Sequence, residues 1–319
     1  MNGGAPVQNK NINQEQDGGI LLHEKRLTVR YFMLSFAIGF LLLSVSAMLV
    51  VLFIPPQMEI GEAQMNTADG LSYLPSNQEA LNLLLVVEPG GEEERVYALL
   101  RFDPARGQVP VAVLPAGTLF GAAGRLATLE SAYDYAGIRR AAAQIGEALG
   151  ISIDRYLQLK AQDAAELVDQ LGGVLYRVKK RMIFESPGAQ TVLEPGPRQL
   201  SGSLFGEVLA YSFPGGALER SSMLGSLIAS LINEHSDLLL TAEADTVFQS
   251  LVNRANTNIS ALDYQQRKAA ARFMARLSPD GAFSVTLSGS GENTYGTFSL
   301  SEECCRQLAT IFSPLPERL

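Results

Sequence analysis

Leu81-Asn-Leu-Leu-Leu-Val-Val87, then Val96-Tyr-Ala-Leu-Leu-Arg-Phe102, then Val109-Pro-Val-Ala-Val-Leu114: these three runs decide the fold. Each is apolar almost throughout. Each ends at a breaker, at Pro89-Gly90-Gly91, at Asp103-Pro104, and at Pro115 and Gly117. Short apolar runs between turn signals suit strands covered on both faces, where neither set of alternating side chains meets water. The cover has to come from helices, and helical patterns follow. Tyr135 to Leu149 is rich in alanine and stops at Gly150, a residue able to take the left-handed conformation that closes a helix. Asp163 to Leu171 stops at Gly172-Gly173. Arg220 to His235 carries Met223, Leu224, Leu227, Ile228, Leu231 and Ile232 on one stripe. Thr241 to Ala255 and Ala261 to Leu277 read as two more helices, and Phe283 to Leu287 alternates like a strand. Ser301 to Phe312 closes the pattern as a helix with Glu302 in its first turn. Strands mixed with helices, without an internal repeat, predict one α/β domain over residues 81–312, a central mixed sheet flanked by helices.

Upstream the chain changes character. Tyr31 to Ile54 reads YFMLSFAIGFLLLSVSAMLVVLFI, 24 residues without a charge, and about 20 apolar residues span a bilayer as a helix. Lys25, Arg26 and Arg30 precede the run, whereas Glu59 and Glu62 follow it. The positive flank predicts residues 1–30 in the cytoplasm and the domain outside it. A cleaved signal peptide is the competing reading, but its apolar core is about 7–15 residues, and Pro55-Pro56 makes a poor small-residue cleavage site. The expected order is a disordered tail at 1–30, one transmembrane helix at 31–54 and a stalk at 55–80. The extracytoplasmic domain and a short tail at 313–319 follow. A single-pass protein of the cell membrane is the expectation.

Composition removes several functions. The 319 residues are 47% hydrophobic and 18% charged, which excludes a disordered chain. A net charge of −8 argues against nucleic acid as a partner. Lys10, Lys25, Arg26 and Arg30 against Glu15, Asp17 and Glu24 leave +1 on the tail, so the remainder carries −9. A polyanion would need a local basic site there. Two adjacent cysteines, Cys304 and Cys305, make neither a disulfide framework nor a four-ligand zinc site, and His23 and His235 are too few for a histidine-based one. No metal site and no cofactor are expected from these residues.

Gly150-Ile-Ser-Ile-Asp-Arg-Tyr156, followed by Leu167-Val-Asp-Gln-Leu-Gly-Gly-Val174, resembles a paired signature of the LytR-CpsA-Psr family of cell-envelope proteins. Other positions agree in order. Asn82-Leu-Leu-Leu-Val86 resembles the family's opening strand, Asp103-Pro104 its Asn-Pro turn, and Pro115 and Thr118 the ends of its Pro-Arg-Asp-Thr. Ala132-Tyr133 and Gly137 resemble parts of Asn-Ala-Ala-Tyr-x-x-Gly-Gly, Leu209-Ala-Tyr211 resembles Ala-Leu-x-Tyr, and Thr257-Asn-Ile-Ser260 a Thr-Asn-Ile/Leu-Ser step. The resemblance covers residues 81–312. It implies an anchored protein that moves glycopolymer from a polyprenyl pyrophosphate carrier onto peptidoglycan. Arginines would grip the pyrophosphate, and carboxylates would place a divalent cation, Mg²⁺. Phosphoryl transfer asks for positive groups on the oxygens where charge spreads, and the arginine fork meets phosphate better than lysine does.

Most of that charged signature is replaced. Glu93-Glu94-Arg95-Val96 stands where the family has Arg-x-Asp-Thr, and Ala116-Gly117 where it has Arg-Asp. Phe213 and Gly215 take the arginine positions of Tyr-x-Arg-x-Arg. Ala217 takes the first arginine of Gly-Arg-x-x-Arg-Gln and leaves Arg220 at the second. Losing one charged stabiliser typically costs about 10²–10³ in rate, so no catalytic residue is assigned. The expectation is a non-catalytic lipid- or glycopolymer-binding or scaffold member of envelope assembly. The alternative is an active phosphotransferase with relocated arginines, the one reading that would need Mg²⁺. Arg220, Arg95 and Arg101 are the phosphate-binding candidates. Clustered about one cleft with a carboxylate they favour the enzyme; dispersed, the scaffold.

Each candidate has a plainer reading. Arg220 can be a helix-end arginine beside Glu219, and Glu92-Glu93-Glu94 a solvated turn. Met223, Leu224, Leu227 and Ile228 can line a lipid groove or form an ordinary core face. The small face of Ser222, Gly225, Ser226, Ala229 and Ser230 either packs closely or leaves that groove. Tyr133, Tyr135 and Tyr211 line a pocket or fill the core, and His235 complements a helix C-terminus.

Overall fold

The three opening runs form consecutive antiparallel strands, β1 (Leu81–Glu88), β2 (Val96–Phe102) and β3 (Val109–Leu114), with Leu85 opposite Ala98 and Ala98 opposite Val113. The structure is a computed structural model, and it describes residues 73–90, 93–122, 125–186, 189–292 and 296–314. These lie in one compact unit, Ser72–Leu319. The expected tail at 1–30, transmembrane helix at 31–54 and most of the stalk fall outside the described residues, as do Glu92 and 315–319. Among the described residues no helix is long and apolar enough to cross a membrane.

The chain continues through β4 (Leu119–Ala122), β5 (Arg125–Thr128), α1 (Leu129–Leu149), β6 (Arg155–Lys160) and α2 (Ala161–Gln170). Then come β7 (Val174–Val178), β8 (Met182–Ser186), β9 (Ala189–Leu193), β10 (Gly196–Leu200), α3 (Gly202–Ala210) and α4 (Gly216–Glu234). It closes with α5 (Glu243–Arg254), β11 (Asn256–Thr257), α6 (Ala261–Leu277), β12 (Ala282–Ser284), β13 (Gly289–Glu292), β14 (Thr297–Leu300) and α7 (Glu302–Phe312). The central sheet has the order β11-β6-β1-β2-β3-β12. It is mixed: β6 runs parallel to β1 and β12 parallel to β3.

Strand alternation sorts the core into two layers. Val96, Ala98, Leu100, Val111 and Val113 point into a cluster with Met223, Leu224, Leu227 and Ile228 of α4. Tyr97, Leu99, Ala112 and Leu114 point the other way, into a cluster with Ile145 of α1 and Leu308 of α7. Leu84 and Leu99 are fully buried, and truncating either to alanine would cost about 2–5 kcal/mol. Both faces of the sheet are therefore dry, as the unbroken apolar runs require.

Several elements depart from the sequence reading. The helix expected from Tyr135 begins six residues earlier, because Thr128 caps it by accepting from the Ser131 amide. It is interrupted at Ala136 and Gly137, where Gly137 takes φ +71°. The strand expected at 283–287 shortens to β12, and the hairpins β4–β5, β8–β9 and β13–β14 had no apolar alternation to announce them. The small face of α4 packs closely: a Cβ on Gly225 would lie 2.4 Å from Ser284 Oγ and 3.6 Å from the Val111 carbonyl. Met223, Leu224, Leu227 and Ile228 are at most 5% exposed. These four side chains are core in this conformation.

Candidate functional site

Arg95 leads into β2 at the end of the sheet where β1 finishes at Glu88 and α1 begins. Thr128 starts α1 so that Glu130 falls in its first turn and Tyr133 and Asp134 follow on the second. Glu88, Glu130 and Asp134 converge on one guanidinium. Arg95 Nη1 donates to Asp134 Oδ1 at 2.8 Å and to Glu130 Oε1, and its Nε stands 3.7 Å from Glu88 Oε1. The guanidinium also lies over the Tyr133 ring, 4.3 Å from its centroid. Two phenols complete the cluster: Tyr97 donates to Glu130 Oε2 at 2.7 Å and Tyr133 to Glu88 Oε1 at 2.6 Å.

Electrostatics follow from this arrangement. Burial alone would lower the Arg95 pKa, but the Glu130 and Asp134 carboxylates outweigh it and hold the guanidinium above its ordinary value. Burial, then the bond to Glu130, raises the Tyr97 phenol; burial and Glu88 do the same for Tyr133. Three carboxylates against one arginine leave this cluster formally negative.

Arg220 lies near the same end but faces protein. Its Nη2 donates to the Glu94 carbonyl at 3.0 Å and the Leu209 carbonyl at 3.2 Å, and Nη1 is 3.9 Å from Glu94 Oε2. Burial pulls its pKa down, with Glu94, Glu93 and Glu130 opposing. The start of α4 is self-capped, since Glu219 Oε2 accepts from the Gly215 amide at 2.7 Å while Oε1 takes Lys180. Those two bonds, Lys180 first, hold the Glu219 carboxyl below its usual range. Phe213, at a family arginine position, packs edge-on against Tyr211, 5.0 Å between centroids.

Arg101 is not part of this cluster. It sits at the opposite end of β2, 3% exposed, about 20 Å from Arg95 at some 3.3 Å per residue. It donates to Asp103 Oδ2 at 2.9 Å, to Asn82 Oδ1 at 3.1 Å and to the Phe312 carbonyl at 3.3 Å. An Arg and an Asp two residues apart on a strand share a face, which was the sequence signal for an internal pair. Glu88, Glu130, Asp134 and Tyr97 were missed. Only the position of Glu88, ending an apolar strand before Pro89, hinted at a functional end.

The other tyrosines divide. Tyr135 is 84% exposed, and Tyr211 packs between Phe184 and Phe213. His235 closes α4, and its Nε2 bonds the Gly173 carbonyl at 2.8 Å. A depression of about 440 Å³ lined by Arg106, Gln108, Asp280 and Phe283 lies at the Arg101 end, away from the Arg95 cluster.

The cluster does not fit the divalent cation that the resemblance implied. Its carboxylates already bind Arg95, and both Glu130 oxygens are taken. The family's second carboxylate position, Gly117, is closed, because a Cβ there would lie 1.7 Å from the Gly296 carbonyl oxygen. Among the described residues no group of three or more His, Cys, Asp or Glu is placed to hold a metal ion.

Comparison with known proteins agrees with the fold. The model of the LytR_cpsA_psr family matches residues 100–309. A Eubacterium siraeum protein described as a transcription regulator superposes with TM-score 0.66 at 14% identity, covering 79% of this chain and 98% of its own. TagV of B. subtilis gives 0.61 at 17%, covering 73% and 95%. TagT bound to LI-WTA gives 0.56 at 14%, covering 75% and 92%. No curated protein matches the chain in sequence.

Proposed function

The chain belongs to the LytR-CpsA-Psr family, and from that premise we propose that it serves cell-wall glycopolymer assembly as a non-catalytic binding or scaffold member. Residues 31–54 anchor it in the cell membrane and the α/β domain works outside the cytoplasm. Its partners are a polyprenyl-linked glycopolymer or peptidoglycan; the fold shared with TagT, a protein seen with LI-WTA bound, supports that class.

One observation carries the non-catalytic part. Both arginines at the Arg95 end of the sheet are held by protein oxygens, Arg95 by three carboxylates and Arg220 by two carbonyls. A pyrophosphate there would meet Glu88, Glu94, Glu130 and Asp134 before it met an unpaired cation, and desolvating it against that surface is unfavourable.

A single feature favours transfer. Lys180, with a side chain 72% exposed, reaches Glu219 at the start of α4, close to the positions where family arginines became Gly215 and Ala217. The test is direct. The purified full chain is incubated with lipid-linked glycopolymer, acceptor peptidoglycan and Mg²⁺ or Mn²⁺. The scaffold reading expects glycopolymer to be retained without transfer. Turnover that disappears in Lys180→Ala or Arg220→Ala would establish the transferase instead. Protease added outside intact cells is expected to digest the domain and spare the N-terminal tail; a protected domain would refute the topology.

A further inference from the structure

We propose that Arg95 is the tethered counter-charge of this carboxylate cluster, so that the cluster is complete without metal and rejects one. The inference goes beyond the scaffold reading and holds whether or not the chain transfers polymer.

The donors around Arg95 are all oxygen: carboxylates from Glu88, Glu130 and Asp134, with the Tyr97 and Tyr133 hydroxyls bonded to two of them. Two elements distant in sequence, the end of β1 and the first turns of α1, bring them together. Hard divalent cations such as Mg²⁺ and Mn²⁺ are bound by such donors. Here the positive charge is covalent. The guanidinium donates at 2.8 Å to Asp134 and also to Glu130, and lies over the Tyr133 ring. An ion bridging Glu130 and Asp134 would need its centre about 2.0–2.6 Å from their oxygens, in space that Arg95 Nη1 fills. A second positive charge there would also face Arg95 at contact distance.

The cluster then has an occupancy that no change in ion concentration alters, and removal of the guanidinium should create a vacancy that an ion can enter. The experiment is Mn²⁺ titration of the full chain at neutral pH, read by the electron paramagnetic resonance of free Mn²⁺. The wild-type chain is expected to take up no Mn²⁺ at this cluster, so Glu130→Gln leaves the titration unchanged. Arg95→Gln is expected to gain one site, tighter by about 100-fold, a modest figure for deleting a unit charge some 4 Å from a divalent ion at an effective dielectric near 20. Adding Glu130→Gln should abolish the gained site, and Arg95→Lys, which keeps the charge, should not gain it. Mn²⁺ bound by the wild-type chain and lost in Glu130→Gln overturns the proposal. So does an Arg95→Gln chain, folded by circular dichroism, that binds no better than wild type. If Arg95→Gln does not fold, the wild-type and Glu130→Gln titrations decide alone.

Discussion

An arginine stands at each end of β2, and the two ends of the sheet use it differently. Arg101 is 3% exposed, and its fork joins Asp103, Asn82 and the carbonyl that ends α7. Arg95 keeps a quarter of its side chain in contact with solvent and gathers three carboxylates, one of them, Asp134, 58% exposed. The buried arginine ties strand, loop and last helix into one unit, and the fold depends on it. The half-exposed one gathers charge where a ligand could arrive, and the fold gains little from it, because screened pairs contribute about 0–1 kcal/mol. Burial decides which arginine is structural.

The sharpest way to break this contrast is to remove each arginine. Arg101→Ala is expected to cost about 3 kcal/mol, since it removes a buried fork shared by Asp103, Asn82 and the Phe312 carbonyl and leaves the buried Asp103 to Arg106 alone; guanidinium chloride unfolding measures it. A loss no larger than that of Arg95→Ala would dissolve the distinction. Asn82→Ala should come next, at about 2–3 kcal/mol, because the Ser152 and Phe312 carbonyls and Arg101 each lose a partner.

Gly117→Asp tests whether the Arg95 end can regain a family carboxylate. The clash with Gly296 should cost about 1–3 kcal/mol as an overpacked site, and no transfer activity should return. Stability unchanged in a thermal melt would show that the backbone there yields.

Alkali should separate the ends further. The Tyr97 and Tyr133 pKa values lie above the ordinary 10.0, chiefly through burial and then through Glu130 and Glu88. Their contribution is therefore fully present below about pH 10 and falls as pH rises above it. Tyr176, buried and pushed up to about 12, acts in the same direction elsewhere, so the comparison needs Tyr97→Phe. That variant should lose about 1 kcal/mol at pH 7 and show a shallower decline between pH 10 and 12; an identical decline would remove Tyr97 from the account. The smallest expected effect is Arg95→Ala on stability at pH 7, about 1 kcal/mol or less.

What could be read from the sequence followed the same divide. The runs at 81–87, 96–102 and 109–114 were legible because strands dry on both faces must be apolar at every step. Ala261–Leu277 was legible as a helix, and the structure shows the capping box of Ser260 and Asp263 that starts it. The hairpins β8–β9 and β13–β14 are short and partly polar, and no periodicity distinguishes them from loops. The interruption of α1 was hidden because Gly137 inside an alanine-rich stretch reads as a tolerated residue until its φ is known. Of the candidate arginines, Arg95 and Arg220 share one end and Arg101 does not. Residue type is a one-dimensional signal: Asp103 stands two residues from Arg101, but Asn82 and the Phe312 carbonyl that complete its role lie 19 and 211 residues away, and the carboxylates of α1 that hold Arg95 lie 35 to 39 away.

The bond from Asn82 to the Phe312 carbonyl joins positions 230 residues apart, and it also sets an order in time. A ribosome adding about 5–20 residues per second has Asn82, Arg101 and Asp103 finished some 10–45 s before Phe312 exists. For that interval the amide and the guanidinium have only water or transient company, and the sheet lacks the helix that seals this edge. Closure waits for the final turn of α7. A product cut short before Phe312 would keep this end of the sheet open.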